Sequence, residues 1–138
     1  MPSKSVVVKA LDVLLHNDVF HLEQISYDKQ GFGNICVTLN SKELINIRFI
    51  KDRGQFYCEI GYEGEWYLLE DVFAIIGETF EVNKDEFYDF VANVSFLIES
   101  NLSHILKIFS PLNVEKTQLK LKEIEITRTR RLYDVKRN

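Results

Sequence analysis

The chain has 138 residues, of which 46% are apolar and 28% charged; six glycines and two prolines are present, and the formal net charge is -4. This composition excludes a disordered, collagen-like or low-complexity chain, and the length suits a single domain over residues 1–138. No apolar run approaches the ~20 residues of a membrane helix, and the start of the sequence lacks the apolar stretch of a secretory signal, so a cytoplasmic protein with two reduced cysteines is expected.

Val7, Val8, Leu11, Leu14 and Leu15 recur at spacings of three and four. They predict a helix over 5–16 capped by Ser3 or Ser5, against the resistance of the β-branched run Val6, Val7 and Val8. From about 20 to 68 the pattern changes to short alternating segments separated by turn residues. Strands are predicted at 22–29 (Ile25 and Tyr27 on one face), 34–40 (Ile35, Val37, Leu39), 43–51 (Ile45, Ile47, Phe49) and 55–61 (Phe56, Cys58, Ile60), with a short fifth at 65–68. A four-residue loop at 51–54, with Gly54 supplying a positive φ, closes a hairpin in which Phe49 opposes Phe56 and Ile47 opposes Cys58. In that register the two apolar faces coincide.

The segment 68–77 predicts a short helix with Glu70 and Asp71 in its first turn and Gly77 closing it. Asn83 and Glu86 then have the spacing of a capping box. Behind them, Phe87, Phe90, Val91, Val94, Ile98, Leu102, Ile105, Leu106 and Phe109 predict one amphipathic helix over 85–109, about 24 residues or 36 Å long, ended by Ser110 and Pro111. Over 113–136 two readings compete. Leu112, Leu119, Ile126 and Tyr133 recur every seven residues, as in a helix, while 119–121 and 124–126 alternate as in a strand. Charge density and the absence of turn residues favour the helix. The whole predicts an α+β domain: an N-terminal helix, an antiparallel sheet of four or five strands, and two or three C-terminal helices packed on one sheet face.

Nothing in the sequence reads as a catalytic signature. His16, His21 and His104 show no metal-ligand spacing, and Cys36 and Cys58 match no zinc pattern. The Gly31-Phe32-Gly33 stretch lacks the third glycine of a dinucleotide fingerprint. Cys58, on the apolar face, reads as a small core hydrophobe. No enzyme, metal or cofactor is expected.

Charge is distributed unevenly. Residues 1–106 hold eight basic and 17 acidic side chains, and residues 107–138 nine basic and four acidic. Within 59–89, ten acids face Lys84 alone. The stretch 57–71 interleaves Tyr57, Tyr62 and Trp66 with Glu59, Glu63, Glu65, Glu70 and Asp71, a mixture of aromatic anchors and charge suited to a protein interface. The competing reading packs Trp66 under the following helix. The basic segment carrying Arg128, Arg130, Arg131, Lys136 and Arg137 either complements its helix dipole and neighbouring acids or binds phosphates as a regulatory nucleic-acid module. The acidity of the remaining chain opposes the second use.

Two stretches, Ile47-Arg48-Phe49-Ile50-Lys51-Asp52-Arg53-Gly54-Gln55 and Glu65-Trp66-Tyr67-Leu68-Leu69-Glu70-Asp71-Val72, resemble small bacterial immunity proteins of polymorphic toxin systems. The resemblance covers about residues 35–75. It implies a cytoplasmic α+β protein that binds and neutralises a cognate toxin, and it brings no catalytic residues. Many such toxins are nucleases with basic clefts, so the expected partner is a basic protein toxin, captured by an acidic, aromatic-studded surface.

Overall fold

The computed structural model describes residues 3–42 and 45–137, with side chains described as far as Leu132. Two short helices, α1 (Lys4–Ala10) and α2 (Asp12–Leu15), precede five strands: β1 (Phe20–Asp28), β2 (Asn34–Ser41), β3 (Asn46–Asp52), β4 (Gln55–Tyr62) and β5 (Glu65–Leu68). Helices α3 (Leu69–Ile76), α4 (Phe87–Ser100), α5 (Leu102–Ile108) and α6 (Val114–Arg137) follow. The α+β class and the order of helix, sheet and helices are those predicted, with five strands; the single helix predicted over 5–16 is instead two short helices separated at Leu11, and four helices rather than two or three follow the sheet.

Ser3 caps α1, its Oγ accepting from the Val6 N–H at 3.2 Å. The strands form an antiparallel meander in the order β1-β2-β3-β4-β5. Alternation puts Ile35, Val37, Leu39, Ile47, Phe49, Phe56, Cys58 and Ile60 on one buried face. A bulge between Leu22 and Gln24 resets the alternation of β1, so that Phe20 and Leu22 share a face with Ile25 and Tyr27. Helix α4 covers the apolar face: the Phe56 ring lies 5.4 Å from Phe87 and 5.7 Å from Phe90, and Val91, Val94 and Ile98 are buried with them.

The β3–β4 register differs from the predicted one. Phe49 opposes Cys58, Ile47 opposes Ile60, and Asp52 pairs with Gln55. The loop is therefore two residues, Arg53 and Gly54, both at positive φ (52° and 79°), which is the type I′ hairpin turn whose twist matches the strands. The slip is two residues, so the apolar faces still coincide. Of the predicted start of β3, Glu43 and Leu44 lie outside the described residues.

Helix α3 ends as its sequence foretold. Gly77 takes φ 76°, its N–H bonds to the Ala74 carbonyl, and the Glu78 N–H bonds to the Phe73 carbonyl, which is a Schellman closure. Two other expectations are corrected. The cap of α4 is Glu86, whose carboxylate accepts from the Tyr88 and Asp89 N–H groups at 2.9 and 2.7 Å; Asn83 instead closes a local turn onto the Asp85 N–H. The single helix over 85–109 is two helices broken at Asn101. There Ser100 Oγ donates to the Phe96 carbonyl and Asn101 Nδ2 to the Leu97 carbonyl, and such back-bonding side chains weaken the helical ladder.

The segment 113–136 is helical from Val114 onward, as α6. Its buried face is set by Thr117 and Leu121, flanked by half-buried Val114, Ile124 and Arg128. The seven-residue series is on the other side: Leu112, Leu119 and Ile126 are 94%, 63% and 43% exposed, and the Tyr133 side chain lies outside the described ones.

Candidate functional site: the open sheet face

The face of the sheet opposite the core carries Cys36 and Thr38 of β2, Arg48 and Ile50 of β3, Tyr57 and Glu59 of β4, and Trp66 and Leu68 of β5, each half-buried. Alternation along each strand directs these side chains away from the buried face.

A small cluster organises its centre. Arg48 and Glu59 are register partners on β3 and β4, and the Arg48 Nε donates to Glu59 Oε1 at 2.6 Å. The same guanidinium lies 4.2 Å from the centroid of the Trp66 ring, an arrangement that draws a cation onto the negative face of an aromatic. Trp66 pairs across β4–β5 with Gly61. A Cβ on Gly61 would come within 2.8 Å of the indole, so only glycine lets the ring lie against the strand at this point. Beside this cluster Tyr57 opposes Ile50, and its hydroxyl donates to Gln55 Oε1.

The residues singled out from the sequence are thus divided among several places. Tyr57, Glu59 and Trp66 share the open face. Glu63 sits with Gly64 at the β4–β5 turn, both at positive φ. Tyr62 and Glu65, paired across β4–β5, belong to the other side of the sheet. Tyr62 stacks at 5.7 Å on Phe109, where burial pushes its phenol pKa up and Glu63 adds to the effect. Glu65 lines a groove of about 440 Å³ with Tyr67 and the α6 residues Gln118 and Lys122. Glu70 is half-buried in the first turn of α3. Asp71 is buried and ion-paired with Arg128 of α6. The acidic stretch is therefore less free than its sequence count: Glu59 and Asp71 hold arginines, and Glu86 is spent on a helix end.

Of the basic segment, Arg128 is committed to Asp71, and Arg130 and Arg131 are exposed on α6; the side chains of Lys136 and Arg137 lie outside the described ones. His16 faces Asp12 one helical turn away, at 3.6 Å. Among the described residues no three His, Cys, Asp or Glu side chains converge as metal ligands, and no helix is long and apolar enough to cross a membrane. Cys58 is buried and Cys36 half-buried, both as free thiols; they project from opposite faces of the sheet.

Sequence reasoning missed Arg48 as a member of the site. Its position as an outward residue of an alternating strand was visible, but its two partners, Glu59 and Trp66, come from other strands. No protein-family model matches the chain, and neither a curated protein nor a solved structure is significantly similar to it.

Proposed function

We propose that the protein acts by binding another protein through the open face of its sheet, as an inhibitor of the immunity type that neutralises a basic toxin. The observation that carries this reading is Trp66, spread against Gly61 and topped by Arg48 on a sheet face that the helices leave uncovered. An aromatic fixed in place before binding loses little conformational entropy on contact, and tryptophan, tyrosine and arginine are the side chains that dominate binding hot spots. Glu63 at the adjoining hairpin turn contributes negative charge, which speeds encounter with a basic partner. The function needs no reacting group: occupying a partner's cleft is sufficient to exclude its substrate.

The test is co-expression with the product of the reading frame directly upstream. Rescue of growth from that product's toxicity, with recovery of a one-to-one complex, is the expected result. Trp66→Ala and Tyr57→Ala should then speed dissociation, costing about 2 kcal/mol if either anchors the interface, with a melting curve establishing that each variant is folded. A toxic upstream product that this protein neither rescues nor binds defeats the immunity reading. Rescue undiminished by folded Trp66→Ala and Tyr57→Ala variants assigns the binding surface elsewhere.

A further inference from the structure

Independently of the open sheet face and its use, we infer that the groove between α3, α5 and α6 is a binding site for a small organic phosphate, a phosphomonoester carried on an apolar body. The groove has a volume of about 320 Å³, at the lower end of the range of small-ligand sites. Ile75 and Ile76 of α3 and Ile108 of α5 supply its apolar lining. Lys107 reaches it from α5, and Lys116 and Lys120, one helical turn apart, reach it from α6; His104 adds an imidazole.

The charge of this groove runs against that of the chain. The protein has 21 acidic and 17 basic side chains, yet among the described residues no carboxylate lines the groove. Among the described residues, the ion pairs engage none of these three lysines. Three lysines from two helices therefore line one groove without a salt-bridge partner, a local excess of positive charge that attracts an anion. Their flexible stems can follow the isoleucine surface while the charged ends remain in water.

The other polar groups of the groove are already engaged. Asn113 Nδ2 donates to the Lys107 carbonyl at 3.0 Å, and Thr117 Oγ1 donates to the Ile108 carbonyl at 2.6 Å. These bonds satisfy carbonyls at the end of α5 that would otherwise oppose an anion. Lys116 stands in the first turn of the 24-residue helix α6, where the helix dipole is positive. What remains available to a ligand is cationic at the rim and apolar within. Inorganic phosphate uses only the first of these and an uncharged apolar molecule only the second; a phosphomonoester uses both.

The experiment is titration of the full chain, followed through the methyl resonances of Ile75, Ile76 and Ile108. The probes are adenosine 5′-monophosphate, with an aromatic body, and hexyl phosphate, with an aliphatic one; inorganic phosphate and adenosine are the controls. Binding of either phosphomonoester at least about tenfold tighter than both controls, with shifts at these isoleucines, is the expected result, and the better probe identifies the body. The double variant Lys116→Gln with Lys120→Gln should lose at least about tenfold in affinity at an unchanged melting temperature, while Lys84→Gln, a lysine outside the groove, should not. Three outcomes overturn the assignment: no isoleucine shift at about 1 mM of either probe, equal affinity for inorganic phosphate, or affinity unaltered in the double variant.

Discussion

Replacing Gly61 by alanine probes the Trp66 cluster without touching any of its charged members. The new methyl would meet the indole Cζ3, Cε3 and Cη2 atoms at 2.8, 2.9 and 3.0 Å. Ordinary contact begins near 3.4 Å, so the ring must retreat by about 0.6 Å or swing away. An exposed-side indole can swing, whereas the strand, paired on both edges by β3 and β5, cannot yield cheaply. Overpacking of this kind costs roughly 1–3 kcal/mol, and displacing the ring from Arg48 forfeits about 0.5–1 kcal/mol more. Against this, alanine gains about 0.5–1 kcal/mol over glycine in a strand interior. The last two terms cancel and the clash remains, leaving a net loss of about 2 kcal/mol, or several degrees in melting temperature for a domain of this size. Trp66 is the sole tryptophan, so its fluorescence reports the change directly. Gly61→Ala should shift emission to longer wavelength and increase acrylamide quenching while the far-ultraviolet circular dichroism is retained. Unchanged emission and quenching together with wild-type stability would refute the stacking of Trp66 on this strand.

Three further outcomes are expected. Arg128→Met leaves the Asp71 carboxylate buried without its partner. Such losses reach 3–5 kcal/mol in full burial, and since the Arg128 side chain is 38% exposed, about 2 kcal/mol is expected in a denaturation midpoint, most of it recovered by adding Asp71→Asn. Glu86→Ala should cost about 1 kcal/mol by uncapping α4, whereas Asn83→Ala should cost less; the reverse order by thermal melting would restore Asn83 as the cap. In native alkylation at about pH 8, Cys36 should react well before Cys58. Burial, reinforced by Glu70 and Glu59, pushes the Cys58 thiol well above its ordinary pKa, so little of the nucleophilic thiolate is present at that pH; mass mapping of the labelled peptides checks this.

The sequence by itself determined the strands, their inward faces and the αL closure at Gly77, because each depends on a local period or a local backbone preference, and it favoured without deciding the helix of α6, where two periods compete. It could not determine the β3–β4 register. Alternation has a period of two, so pairing Phe49 with Phe56 or with Cys58 hides the same side chains, and only the two-residue turn at Arg53 and Gly54 separates the two. The break at Asn101 was likewise invisible to apolar spacing, since Ile98, Leu102 and Ile105 keep that spacing through it. Nor could spacing show which side of the last helix is buried. The regular series Leu112, Leu119 and Ile126 was conspicuous, yet Thr117 and Leu121 are the buried residues, because burial depends on which surface α3 and α5 present to the helix. The candidate sites follow the same rule. Aromatic and acidic residues in 57–71 were legible as types, but their division between an open face, a hairpin turn and a buried pair was decided by partners 11 and 57 residues away, Arg48 for Glu59 and Arg128 for Asp71. Local periods describe which way a side chain points; only the packing of distant segments decides what it meets there.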